Sequence, residues 1–267
     1  MTEIRSVVLV GCGNMGGAML AGWLAAGMAP ATFTVIDPVL EAAPQGVALL
    51  RDAEKAPLAD VLVLGVKPQV LGDVAPTVRH LAGAGTTLVS ILAGVELDVL
   101  ARHFPDAGAR VRLMPNLAAA MGKSTLALAS DGLDGDAKAA LEQLLAPLGA
   151  LQWLAEDQFH LVTALAGSGP AFVYRFIDAL GEGAAALGME PGEAARMALS
   201  MVEGAVALAA SADVSAGELA RRVASPGGTT EAGLKVLDEG GAMTSLIEAT
   251  LRAARDRSEE MADAARG

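Results

Sequence analysis

The stretch that decides the fold is Val8-Leu9-Val10-Gly11-Cys12-Gly13-Asn14-Met15-Gly16-Gly17. Ser6–Val10 is a short aliphatic run behind the charged Arg5, and it predicts a buried strand. Met15–Ala26 is small and apolar, suited to a helix packed tightly on a sheet. Between them stands Gly11-x-Gly13-x-x-Gly16. In a strand–turn–helix context each glycine has a reason. Gly11 allows the tight turn, Gly13 lets the backbone approach a pyrophosphate, and Gly16 lets the helix pack on the strand. The helix start adds free N–H groups and a partial positive charge. Phe33–Ile36 predicts the next strand, and it ends at Asp37, 21 positions after Gly16. That is close to the ~20 at which a ribose-binding acid is expected. Gly11, Cys12, Gly13, Asn14, Met15 and Gly16 are therefore expected to hold a dinucleotide, with Asp37 on a ribose. A carboxylate there accepts hydrogen bonds from ribose hydroxyls and repels a 2′-phosphate, so Asp37 taken alone favours NAD(H) over NADP(H). The next arginine is Arg51.

Further aliphatic runs follow at Val61–Val66, Thr87–Leu92, Ala109–Met114, Thr125–Ala129 and Leu151–Leu154. Helical stretches lie between them, at Pro68–Leu81, Leu97–Phe104 and Asp136–Leu148. Continuous aliphatic strands alternating with helices predict an α/β fold, a Rossmann-like, mostly parallel sheet covered on both faces. After about Glu156 only helical patterns appear, at Phe159–Leu187, Pro191–Ala212, Ala216–Ala224, Thr229–Glu239 and Met243–Ala265. The expected organisation is a dinucleotide-binding domain over 1–157 and an all-α domain for substrate and dimerisation over 158–267. Its Ala- and Met-rich faces suit a homodimer.

Composition narrows the function classes. With 19 Lys and Arg against 31 Asp and Glu, the net charge of −12 repels nucleic acid and anionic membranes. A single cysteine, Cys12, excludes an internal disulfide and a thiolate metal cluster. Leu9-Val10-Gly11-Cys12 resembles a lipoprotein cleavage box, but the apolar run before it is too short and Glu3 stands where basic residues belong. Glycines interrupt the run against a membrane span. The chain reads as soluble and cytoplasmic. His80, His103 and His160 are isolated, so no metal site is expected. Cys12 reads as a packing choice, and Trp23 and Trp153 as core residues.

Ligands in an open parallel sheet bind beyond the carboxyl ends of strands. Gly65-Val66-Lys67-Pro68 and Met114-Pro115-Asn116 stand at such ends, as cofactor contacts or as ordinary solvated loops. In the helical half, Ser225-Pro226-Gly227-Gly228-Thr229-Thr230 heads a helix, either as a carboxylate cradle or as an ordinary cap. Gly167-Ser168-Gly169-Pro170 breaks a long helical stretch, as a kink or a ligand approach. Arg221-Arg222 reads as a solvated face or as a local attraction for an anion.

Val66-Lys67-Pro68-Gln69, Met114-Pro115-Asn116, Gly167-Ser168-Gly169-Pro170-Ala171-Phe172 and Ser225–Thr230 occur in this order behind the glycine turn. Together they resemble the pyrroline-5-carboxylate reductase family, along essentially the whole chain. The resemblance implies hydride transfer from NADPH or NADH to the C=N carbon of a cyclic imine, giving L-proline. It implies that Ser225 and the amides of Gly228, Thr229 and Thr230 hold the substrate carboxylate. The Thr230 hydroxyl, the catalytic candidate, would bond the ring nitrogen, and Asp213 would lie near it. Gly65, Val66, Lys67, Pro68 and Asn116 would join the cofactor site. It also implies a homodimer or a larger assembly of dimers. Three positions depart from the family pattern. Leu117-Ala118 replace Thr-Pro, Asp37-Pro38 replace residues suited to a 2′-phosphate, and Asp213-Val214-Ser215-Ala216 replace Glu-x-His-Pro.

Two other classes share parts of the pattern. A β-hydroxyacid-type dehydrogenase needs a lysine on the long interdomain helix, and Gly167–Gly188 carries Arg175 but no lysine. A non-catalytic dinucleotide sensor leaves Ser225–Thr230 without a purpose.

Overall fold

The computed structural model describes residues 4–266. Eight strands form one sheet. They are β1 (Val7–Val10), β2 (Phe33–Ile36), β3 (Ala48–Leu50), β4 (Val61–Leu64), β5 (Thr87–Ser90), β6 (Ala109–Met114), β7 (Ser124–Asp131) and β8 (Gly149–Trp153). Their order is β3-β2-β1-β4-β5-β6-β7-β8. Every pairing is parallel except β6 with β7. The expected mostly parallel α/β sheet is therefore present, with the short edge strand β3 added to those expected from the sequence.

All four residues of β1, β4 and β5 are buried, because both sheet faces are covered. Side chains alternate between faces along a strand. Val8 and Val10 join one core with Leu62, Leu64 and Leu88, under α2 (Leu71–Val78) and α3 (Leu97–His103). Val7 and Leu9 join the other with Val61, Val63 and Val89, under α1 (Asn14–Ala25) and α4 (Gly135–Leu145). Each of these buried side chains contributes about 1.5–3 kcal/mol of hydrophobic stabilisation. Trp23 completes the second core. It stacks on Phe33 at 5.2 Å and donates its Nε1–H to the Leu144 carbonyl at 2.7 Å.

Among the described residues, no strand follows Trp153. The helices are α5 (Phe159–Val162), α6 (Gly169–Ala186), α7 (Pro191–Ser211), α8 (Ala216–Val223), α9 (Thr229–Asp238) and α10 (Ala242–Arg266). A π turn, Thr163–Gly167, links α5 to Ser168. The chain divides into two compact units, and the division differs from the expected one at residue 157. The first unit runs through Ser168 and takes back the chain from Ala253; the second is Gly169–Arg252. The end of the strands is thus not the end of the first unit. Phe159 is part of its core. The last turns of α10 return to it through His160 and Ser258 at 3.0 Å and through Arg266 and Glu96 at 2.6 Å. Gly94 faces Met261 so closely that a Cβ there would lie 2.8 Å from it.

Within the second unit α6 and α7 pack closely. A Cβ at Gly181 would stand 3.3 Å from the Ala195 Cα. Elsewhere its helices leave large apolar side chains in the open, Tyr174, Phe176, Met197, Leu208, Leu246 and Ile247 among them. By length and composition α7 is apolar enough to cross a membrane.

Candidate functional site

Each unit carries one candidate site. In the first, the sheet order reverses at β1. The chain leaves it for β2 and β3 on one side, and returns to β4 on the other. Such a switch point opens a crevice beyond the strand ends. The glycine turn lies in it, between two neighbouring strand ends. Gly11 donates its N–H to the Ile36 carbonyl at 2.9 Å, and Gly65 donates to the Val10 carbonyl at 2.8 Å. Gly11 has φ of +87°, and a Cβ there would sit 2.9 Å from the Gly65 backbone. A Cβ on Gly16 or on Gly65 would lie 2.7 Å from the Gly11 carbonyl oxygen. Gly13 is the exception, since a Cβ there would meet nothing within 4 Å. The turn is closed on its protein side and open at Gly13, as an approaching pyrophosphate requires.

Helix α1 starts from Gly13 with no side-chain cap and no acid in its first turn. Its leading N–H groups and dipole are thus left for an anion. These residues fit the diphosphate of a dinucleotide. Cys12 is buried, and its thiol pKa is pushed up, first by burial and then by the Asp37 charge. It fills space as expected.

Asp37 is half-buried at the end of β2. Its Oδ2 accepts the Cys12 N–H at 2.9 Å, and its Oδ1 accepts those of Val39 and Leu40, both at 2.9 Å. Partial burial pushes its pKa up. The three N–H donors and the nearby Arg51 outweigh this and hold it below the ordinary value. A carboxylate has about four acceptor positions, so one on Oδ2 is left for a ribose hydroxyl.

Lys67 is exposed at the head of a short 3-10 turn, Pro68–Val70, while Gly65, Val66 and Pro68 are half-buried beside the glycine turn. Asn116 is buried, and its side chain is engaged elsewhere. Oδ1 accepts the Ala118 N–H at 3.0 Å, and Nδ2 donates to the Ala166 carbonyl at 3.1 Å. It ties the β6 end to the π turn, where Gly167 rests against Met114. Its main chain is engaged too, the N–H donating to Ser124 Oγ at 2.9 Å and the carbonyl accepting the Ala119 N–H at 3.0 Å, so Asn116 shapes the end of β6 with both side chain and backbone.

Arg112, two residues upstream of Met114, was not anticipated from the sequence. It is buried, bonds Glu156 at 2.9 Å and lies 4.3 Å above the Phe159 ring. Its Nε and Nη2 have no hydrogen-bond partner among the described residues. A charged residue inside an aliphatic strand, with a carboxylate shortly after the sheet, was the available signal.

In the second unit, Ser225–Thr230 forms a turn leading into α9. Gly228 donates its N–H to the Ser225 carbonyl at 2.9 Å, and Gly227 has φ of +73°. Gly228 is the N-cap of α9, without a side-chain cap. A Cβ on Gly228 would strike Ser225 Oγ at 2.6 Å, so only glycine lets the serine fold over the helix start. Ser225, Thr229 and Thr230 are exposed. The Glu231 carboxylate accepts the Gly227 N–H at 2.6 Å. The Gly228 amide is used within the turn, and those of Thr229 and Thr230 are left in the first, uncapped turn of α9. Asp213 is exposed on the α7–α8 connection, two residues before Ser215, which caps α8 by accepting the Glu218 N–H at 3.2 Å. No hydrogen bond joins Asp213 to Ser225–Thr230 among the described residues. Arg221 and Arg222 both pair with Glu218, at 2.8 and 3.1 Å, which favours the solvated-face reading.

Comparison with known proteins matches both units. Residues 156–261 fit the family model described as pyrroline-5-carboxylate reductase dimerisation, and residues 6–94 fit that of coenzyme F420-dependent NADP oxidoreductase. The pyrroline-5-carboxylate reductase of Methanosarcina acetivorans is 31% identical over 97% of this chain and 98% of its own. The structure of a pyrroline-5-carboxylate reductase from Coxiella burnetii superposes with a TM-score of 0.84 at 30% identity, covering 97% of this chain and 99% of that one. A Plasmodium falciparum pyrroline carboxylate reductase, solved with NADP bound, shares the fold. Its TM-score is 0.86 at 23% identity, covering 98% and 100% of the two chains.

Proposed function

The chain belongs to the pyrroline-5-carboxylate reductase family, and from that premise we propose that it reduces the C=N bond of 1-pyrroline-5-carboxylate with NADH or NADPH, giving L-proline, the last step of proline synthesis. The observation that carries the reading is the uncapped start of α9 under Ser225, inside the region matched to the family. A five-membered cyclic imine with one carboxylate is an anion small enough for one helix turn. Ser225 Oγ and the free amides of Thr229 and Thr230 hold that carboxylate, with Gly228 closing the turn beneath it. Thr230 Oγ1 meets the ring nitrogen and fixes which carbon is presented. The reduced nicotinamide supplies the hydride. An imine that arrives protonated is the better acceptor, so Thr230 works by placement and no strong acid is required. The glycine turn, Asp37 and the strand-end residues Gly65–Pro68 hold the dinucleotide.

The exposed apolar side chains of the second unit support a homodimer, with copies of the unit covering one another. That partner also accounts for the apolar length of α7 without a membrane. Larger assemblies of dimers and a cytoplasmic location accord with this reading.

The test is the loss of NADH or NADPH absorbance when the imine is added, with L-proline identified as the product. No turnover with either cofactor at saturating imine sinks the reading. Light scattering should return at least twice the chain mass of 26.9 kDa; a monomer at micromolar concentration sinks the dimer.

A further inference from the structure

Asp37 alone argues against a 2′-phosphate, but it does not stand alone. Strand β3 pairs with β2 in parallel, with Leu50 opposite Ile36. The Asp37 N–H continues the ladder to the Leu50 carbonyl at 3.0 Å. That register sets Arg51 beside Asp37 although 14 positions separate them in the chain. Arg51 Nη1 donates to the carbonyls of Asp37, at 3.2 Å, and of Leu40. Nη2 donates to the Glu41 carbonyl at 3.4 Å. The guanidinium thus lies against the loop that follows β2, where the ribose of a dinucleotide on this turn belongs. A guanidinium carries five N–H donors. These contacts use both on Nη1 and one on Nη2. The Nε–H and the second Nη2–H remain, and they form the edge that grips phosphate in a two-pronged fashion.

We propose that Arg51 is a specificity-determining residue that lets this site accept a 2′-phosphorylated dinucleotide despite Asp37. Asp37 keeps one acceptor for a ribose hydroxyl, and Arg51 brings a cation to the same loop. The pair makes a site suited to both NADH and NADPH. The inference rests on the reading that the β1–α1 turn holds a nicotinamide dinucleotide. A different role is open to Arg51, that of a strut bonding three loop carbonyls. A strut would support both cofactors equally; a phosphate contact would not.

Direct binding separates these roles without turnover. Affinities for 2′,5′-ADP and for 5′-AMP are measured calorimetrically on the wild type, Arg51→Gln and Arg51→Lys. The expected result is a roughly tenfold loss for 2′,5′-ADP in Arg51→Gln, with 5′-AMP changed by less than about twofold. Arg51→Lys keeps the charge but loses the fork, and it should fall between wild type and Arg51→Gln. Equal losses for the two ligands, or none, overturn the proposal. If the wild type binds 5′-AMP, a null effect of Arg51→Gln leaves the dinucleotide reading standing. If the wild type binds neither nucleotide nor NADH nor NADPH, that reading falls as well.

Discussion

The glycine turn and the Ser225–Thr230 segment are the same local device in different surroundings. Each places a left-handed glycine, Gly11 or Gly227, two or one residues before a glycine N-cap, Gly13 or Gly228. Neither helix carries a side-chain cap, so each offers bare N–H groups to an anion. The surroundings differ. Gly11 is pressed against the Gly65 backbone between two strand ends, whereas a Cβ at Gly227 would meet nothing within 4 Å. The first cradle is held by the sheet. The second is held by its own turn and by the Glu231 carboxylate on the Gly227 N–H, on a unit whose apolar surface is still open. On the proposed function each helix start takes one anion, and the packing around it sets how rigidly that anion is held.

Substitutions at the left-handed glycines should break this symmetry most visibly. Gly11→Ala meets both a disfavoured φ and a backbone collision, and should cost about 3 kcal/mol or more of stability. Gly227→Ala meets only the disfavoured φ, about 1 kcal/mol. Thermal or urea unfolding of the two variants checks this, and similar losses would erase the distinction. Next in size is Thr230→Ala. It should lower kcat/KM on the order of 10²-fold through misplacement of the imine. Dinucleotide affinity, set in the other unit, should hold within about twofold of wild type. A parallel fall in cofactor affinity would mean that Thr230 is not confined to the substrate side. Gly13→Ala is the reciprocal case. The protein has room for the methyl, so stability should stay within about 0.5 kcal/mol, while cofactor affinity drops roughly tenfold or more.

The first cradle was legible in the sequence because everything it needs is local. A strand, three spaced glycines and a helix lie within 20 residues, and the acid ends the next strand. Arg51 was not legible, because its place depends on β3. That strand is only three residues long, Ala48–Leu50, and sits half-exposed at the sheet edge, so its aliphatic run is too short to stand out as a strand. Without β3 there is no register, and without register Arg51 is only a distant arginine. Asn116 was visible as a polar stop to a strand. Its bond to Ala166 was not, because the π turn that presents that carbonyl has the composition of ordinary helix. The return of α10 from Ala253 was hidden for a related reason. One continuous helical pattern runs through it, while Gly94 and Glu96, which receive it, lie far upstream. The helix start at Ser225–Thr230 was legible in its own residues, two glycines and two threonines at the head of a helical pattern, and the glycine N-cap is present. Asp213 lies outside this turn, exposed on the α7–α8 connection.

The smallest expected effect concerns acid. Asp37 is the group that joins the glycine turn to the β2 loop, and its carboxyl is held below its ordinary pKa by the N–H groups of Cys12, Val39 and Leu40 against partial burial. Between the ordinary and the depressed value the unfolded chain binds the proton that the folded chain refuses. The contribution of Asp37 to stability is therefore complete above the ordinary carboxylate range, about pH 4, and is lost as pH falls through the depressed value. Asp37→Asn removes this titration. Its acid limb should be shallower than that of wild type, by at most about 1.4 kcal/mol per pH unit. Glu96 is depressed through its bonds to Arg266, and Glu190 and Glu218 are depressed in the second unit, so the wild-type limb is a sum. The variant isolates the share that belongs to the first cradle. Urea unfolding midpoints from pH 6 down to pH 3 on both proteins supply the comparison, and parallel limbs would show that the Cys12–Asp37 bond does not hold the turn.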